Sequence, residues 1–219
     1  MRGSGRRTLL VIAIAAAVTA AAIGADVLLE DAEVVPGGPL VASDAAHGSG
    51  LLADAGDPLT YGGIAVYNSA AEPAVLERVD ALRPSEGMRV VGTLAGPVPW
   101  GAFALVFEDF PPAEDSHPAW MVSPPRLLPL EGFVVPPQPR AGLDTARLTK
   151  VYVGLQSTKA RGSVALESFA VHYRVGDRRY VLVVPQTVTI CTPKDGWGEE
   201  NLCPTFLPGD ENPSRSSSR

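Results

Sequence analysis

Cysteine, histidine and methionine are scarce in this chain of 219 residues, which has only two, three and three of them. His47, His117 and His172 stand far apart, and none has the paired spacing of a zinc-ligand set. Met88 and Met121, the methionines beyond Met1, adjoin no histidine, so the soft-ligand clusters that handle copper are missing. Gly48-Ser49-Gly50 follows His47 but does not join a strand to a helix and lacks the longer nucleophile-elbow pattern. No glycine loop ends in Lys followed by Ser or Thr, which excludes the usual phosphate cradle. Basic charge is in short supply too: 24 acidic residues against 18 basic give a net charge of -6 and argue against a nucleic-acid partner. The sequence therefore names no catalytic residue, no metal ligand and no cofactor, and we expect a protein that is not an enzyme.

Glycine and proline are abundant, 22 and 21 residues, about one position in five. That load excludes a mostly helical protein, whereas 46% hydrophobic and 19% charged residues are ordinary values for a chain with a core. Arg2, Arg6 and Arg7 precede an uncharged, mostly apolar run from Thr8 to Ala25. At 18 residues the run is longer than a usual signal-peptide core and just short of a comfortable membrane span, so signal peptide and transmembrane anchor both stay open. Either way the basic flank stays in the cytoplasm, which places everything after Asp26 outside. Arg6-Arg7 fits a twin-arginine export signal as well as an ordinary basic flank. No cysteine near the end of the run offers a lipoprotein anchor point. The preference for Arg over Lys, with much Ala, Gly and Pro, suggests a bacterial source.

Residues 26–58 hold seven acids and no Lys or Arg, the texture of a solvated, self-repelling spacer. From Leu59 short β-prone runs recur between Gly, Pro, Asp and Asn, which predicts an all-β antiparallel sandwich of about seven to nine strands over 59–203. The tail 204–219 reads as disordered. Charge follows the same division: +3 over 1–25, -7 over 26–58, -2 over 59–203 and 0 over 204–219.

The sharpest element is a hairpin, Phe169–Val175 and Arg178–Val184 about a Gly176-Asp177 turn. Pairing Val175 with Arg178 sets Tyr173 opposite Tyr180, Val171 opposite Leu182 and Phe169 opposite Val184. One face is then apolar and the other carries His172, Arg174 and Arg179. Further strands are expected at Tyr61–Asn68, Ala74–Leu82, Met88–Ala95, Ala102–Phe107, Pro118–Ser123, Gly132–Val135 and Leu148–Gln156. The pair Tyr61-Gly-Gly-Ile-Ala-Val-Tyr-Asn68-Ser69 and, after Glu72-Pro73, Ala74–Leu82 resembles secreted bacterial immunoglobulin-like domains, in which a strand ends in Asn plus a small residue and the next begins after a proline turn. The resemblance spans about 25 residues and implies a fold, not a function.

Cys191 and Cys203 are an even pair on the side expected to be oxidising, which predicts a disulfide contributing about 3 kcal/mol through loop closure. Eleven intervening residues do not fit a redox-catalyst motif. Within the loop, Trp197 between two glycines either folds back on the domain or stands out as a contact for a partner. Glu108-Asp109 and Glu114-Asp115, around Phe110-Pro111-Pro112, form an acidic loop. It lacks the alternating ligand spacing of a calcium loop and reads mainly as solvated charge. The candidate interaction residues are Trp197, Asp109 and Asp115. The expectation is an envelope protein tied to the membrane by its N-terminal helix, with an outside domain that serves a structural or protein-binding role. A ligand- or metal-binding domain is the first alternative and an envelope enzyme the second.

Overall fold

Gly176 sits at φ 56°, in the left-handed region that a two-residue hairpin turn demands. The strands on either side pair in the expected register, Tyr173 with Tyr180, Val171 with Leu182 and Phe169 with Val184. Phe169, Val171, Tyr173 and Val184 are fully buried. On the opposite face His172 Nε2 lies 2.9 Å from Asp80 and Arg179 lies 3.5 Å from Glu77. Alternation of apolar and charged residues thus decides which face of the hairpin meets the core.

The computed structural model describes residues 34–42, 47–97, 105–113, 126–138, 148–197 and 203. The described chain is nearly all β. In order the strands are β1 (Val34–Pro36), β2 (Leu40–Ala42), β3 (His47–Leu52), β4 (Pro58–Asn68), β5 (Ala74–Leu82), β6 (Met88–Pro97) and β7 (Leu105–Phe107). They continue as β8 (Leu128–Pro129), β9 (Val134–Val135), β10 (Thr149–Ser157), β11 (Gly162–Leu166), β12 (Ser168–Val175), β13 (Arg178–Val184) and β14 (Gln186–Thr192). A 3-10 turn, Lys194–Gly196, comes after β14.

These strands form three sheets: β1-β13-β12-β5-β9, β2-β4-β10-β6-β8 with β7 added beside β4, and β11-β14-β3. One hydrophobic cluster draws on all three, with Leu59, Ile64 and Val151 from the second sheet, Leu76 and Phe169 from the first, and Val164 and Ile190 from the third. Tyr61 of β4 stacks on Phe169 of β12 at 5.9 Å between centroids. Burying each such ring contributes roughly 1.5–3 kcal/mol. Gln186 is buried at the third sheet's junction, its Nε2 donating to Gly63 O at 2.8 Å and its Oε1 accepting from Tyr61 at 3.3 Å.

Several expectations change. Residues 34–58 are not a spacer where they are described: they supply β1, β2 and β3, and bury Leu40, Leu51 and Ala53 in the core. The few apolar residues of this acidic segment suffice because strands already formed elsewhere satisfy its backbone. β3 lies parallel to β14, His47 beside Gln186 and Leu51 beside Ile190. The chain passes from the first sheet (β1) to the second (β2) at Gly37-Gly38, both at positive φ. Tyr173 pins this crossing by donating to Gly37 O at 2.7 Å and accepting from Leu40 N at 3.1 Å.

Three further strands, β8, β11 and β14, add to those expected. The strand expected at Gly132–Val135 is confined to Val134–Val135. The strand expected at Ala102–Phe107 begins, within the described residues, at Leu105. The strand expected at Pro118–Ser123, the N-terminal run 1–25 with the acids 26–33, and the tail 204–219 lie outside the described residues. Among those described, no helix is long and apolar enough to cross a membrane.

Candidate functional site

The disulfide forms as expected, Cys191 to Cys203, with Cα atoms 5.8 Å apart. Cys191 is the next-to-last residue of β14, buried between Ser163 of β11 and Leu52 of β3. The bridge therefore fastens the chain beyond the 3-10 turn to the middle strand of the three-stranded sheet. Cys203 Sγ rests 3.4 Å from the Leu51 carbonyl, beside β3. Trp197 folds back: it is half-buried, and its Nε1 donates to the Thr192 carbonyl at 3.4 Å. The indole leans on the end of its own strand, although part of its surface remains open.

Asp109 follows β7 and is exposed. Its main chain is held, because the Thr60 hydroxyl donates to the Asp109 carbonyl, while its carboxylate is left toward solvent. The neighbouring Glu108 accepts from Lys194 Nζ at 2.5 Å. Lys194 also donates its backbone N–H to Asp54 at 3.1 Å. The hydrogen bond to Glu108, that residue's charge, and Asp195 and Asp54 hold the Lys194 ammonium above its ordinary pKa. The acidic segment and the disulfide loop, which the sequence presents about 80 residues apart, therefore meet at one corner through the Glu108–Lys194 pair. Asp115 lies outside the described residues. Among those described, no three His, Cys, Asp or Glu side chains are grouped to hold a metal.

Beyond this corner the outward face of the second sheet is itself covered. Tyr152 and Phe107 are buried together there, with Leu94 and Leu127 against them. Lys150, two residues from Tyr152 and on the same face of β10, is fully buried. Burial alone pushes the Tyr152 phenol well above the usual tyrosine range, and its hydroxyl is buried without a hydrogen-bond partner among the described residues. Sequence reasoning missed this layer. The available signal was Gly92, Gly96 and Gly154 in the interiors of strands, where glycine marks a close approach by another group. A Cβ on Gly96 would stand 2.9 Å from Leu127, and Cβ atoms on Gly92 and Gly154 would run into the Phe110 ring.

An apolar groove of about 430 Å³ opens elsewhere, lined chiefly by Pro97, Phe133, Pro136, Pro137, Leu148 and Thr149. Its size suits a small ligand. The stiff Val135-Pro136-Pro137 connector forms its wall, held because Gln138 N donates to the Asn68 carbonyl at 2.8 Å.

No protein-family model and no curated protein sequence matches this chain.

Proposed function

We propose that the chain is a non-enzymatic bacterial cell-envelope protein whose immunoglobulin-like sandwich lies outside the membrane and serves a structural or protein-interaction role. The observation that carries the reading is the Cys191–Cys203 disulfide, in a chain whose residues 2–25 join a basic flank to an uncharged run. Disulfides persist in oxidising compartments, and a basic flank before an apolar run directs the remainder of a chain out of the cytoplasm. The immunoglobulin-like assignment draws support from the mostly antiparallel sheets, from the edge segment that changes sheet at Gly37-Gly38, and from the ring stack between sheets. The corner shared by Trp197 and Asp109 is the surface offered to a partner. It sets a partly open aromatic beside a polar, exposed rim, as contact sites between proteins do.

Cells making the full chain test this. Protease added outside should degrade the domain, and two thiols should react with an alkylating agent only after reduction. A photo-crosslinker at Trp197 should trap a discrete envelope protein, whereas one at the exposed Arg83, which pairs with Glu167, should not. A domain shielded from protease with both thiols free would refute the placement. Equal trapping at both positions would refute the corner.

The groove beside Pro136 favours a second reading, an outside domain that binds a small apolar ligand. Saturable thermal stabilisation by such a ligand, lost in Phe133→Asp, would favour it over the first.

A further inference from the structure

The third sheet ends on β3, and no strand among the described residues pairs with its outer side. Ala53 N donates to Cys191 O, so Ala53 faces β14. Backbone groups alternate from one side of a strand to the other. Leu51, Ser49 and His47 therefore face β14 as well, and Gly48, Gly50 and Leu52 turn their N–H and C=O groups outward. Natural sheets blunt such edges with short strands, charge, proline or a bulge. Other edges here carry these devices. β1, β2, β7, β8 and β9 are only two or three residues long. β11 is capped at Ala165, which donates to Ser85 Oγ at 2.8 Å and accepts from Ser85 N at 2.7 Å. β5 and β6 run on past their short neighbours, but β5 carries Arg78 and Asp80, β6 carries Arg89, and each has an irregular step in its pairing with β12 or β10. β3 has none of this protection: its six residues, His47–Leu52, keep unbroken register with β14 and include no proline and no Asp, Glu, Lys or Arg. At its end Leu52 is 43% exposed.

We propose that the outer edge of β3 docks β3 of a second copy of this chain, antiparallel, about a two-fold axis at Gly50. Such an axis demands a self-complementary strand, and β3 is one. Gly48 pairs with Leu52 of the second copy, Gly50 with its own counterpart, and Leu52 with Gly48 of the second copy, each pair exchanging both N–H···O bonds. The exposed Leu52 side chain comes to lie opposite a glycine, where no side chain competes for its place, and no like charges are brought together. The disulfide leaves the edge clear, because Cys203 Sγ lies 3.4 Å from Leu51 O and 3.8 Å from Thr189 O, over the seam between β3 and β14. Pairing joins two three-stranded sheets into one and removes the unprotected edge from both copies.

The test uses the purified full chain in a mild detergent. The axis sets the two Gly50 Cα atoms about 5.5 Å apart, within the reach of a disulfide. Copper phenanthroline should therefore link Gly50→Cys into a dimer, with the linkage at position 50 read by mass spectrometry. Val183→Cys, at an exposed position on β13, should yield at least tenfold less dimer. Equal yields, or a linkage from position 50 to any other protein, would overturn the proposal. In sedimentation equilibrium the wild-type chain should be a dimer, and Leu52→Lys, which places a charge on the edge, should raise the dissociation constant at least tenfold. A monomeric wild-type chain, or a dimer that Leu52→Lys leaves unchanged, would overturn the proposal whether or not the cysteine variant folds.

Discussion

Replacing Gly154 by Ala adds one methyl group at a position where the φ angle is ordinary, so any penalty must come from what the methyl meets. It meets the Phe110 ring, whose Cγ, Cδ2 and Cδ1 lie 2.5, 2.6 and 2.8 Å from the new Cβ. Ordinary carbon contact begins near 3.5 Å, so the ring must rise by about 1 Å, and a gap of that size forfeits a quarter to a half of each dispersion contact it opens. Overpacking of this kind costs about 1–3 kcal/mol. With Phe110 already changed to Ala the obstacle is gone, and the swap from glycine to alanine in a strand should stabilise by about 0.5–1 kcal/mol. The substitution should therefore change sign between the two backgrounds, with a coupling of about 1.5–4 kcal/mol, the span of those two effects combined. Urea denaturation of the four chains followed by far-ultraviolet circular dichroism measures it. Gly96→Ala is the control, because its Cβ meets Leu127 and the Arg126 carbonyl, and its cost should be independent of Phe110. Equal effects of Gly154→Ala in both backgrounds would refute the placement of the ring.

Changing Cys203 to Ser, which spares the fully buried Cys191, should cost about 3 kcal/mol, as loop closure gives for a separation of 12 residues; a loss under about 1 kcal/mol in urea denaturation would contradict this. Burial raises the Tyr152 and Tyr173 phenols, so the folded state holds protons there that the unfolded state releases near pH 10. The stability they contribute is complete below that pH and is lost as pH climbs toward the folded values. Of the five tyrosines, at least two should ionise only together with loss of structure when absorbance at 295 nm is followed upward; smooth ionisation of all five near pH 10 with intact dichroism would refute it. Asn68→Ala should cost about 2–4 kcal/mol in the same denaturation assay. Buried Asn68 donates to Glu72 O at 2.8 Å and Val135 O at 3.2 Å and accepts from Ala70 N at 3.0 Å, and each bond contributes roughly 0.5–1.5 kcal/mol. Arg83→Ala, which removes an exposed ion pair with Glu167, should shift stability by less than about 1 kcal/mol.

Local chemistry made the hairpin legible, because turn residues and alternation agree at Gly176-Asp177 and no distant partner is needed to choose the register. Ala74–Leu82 was readable from local sequence too, preceded by Pro73 and carrying Val75, Leu76, Val79 and Leu82. β14 hid behind its composition: Gln186, Thr187, Thr189 and Thr192 are polar, yet all are buried in the middle strand of the third sheet. Pro185 alone separates it from β13. β1, β2 and β3 were illegible because acidic, glycine-rich sequence becomes strand only by borrowing the edges of β13, β4 and β14. At the candidate site the cysteine pairing followed from their number. The meeting of Glu108 with Lys194 and the seat of Phe110 on two glycines depend on folding across many residues, which periodicity does not encode.

The order in which the strands pair also has a consequence in time. β1 is completed by β13 and β3 by β14, so the earliest strands made find their neighbours among the last. Between the two events a growing chain must carry open strand edges. Folding of this kind waits on long loop closures and is slow relative to a helical protein of equal stability. A chain stopped before Arg178 would lack the partners of both segments. β1 and β3 are therefore joined to the structure late and nearly together, once β13 and β14 are made.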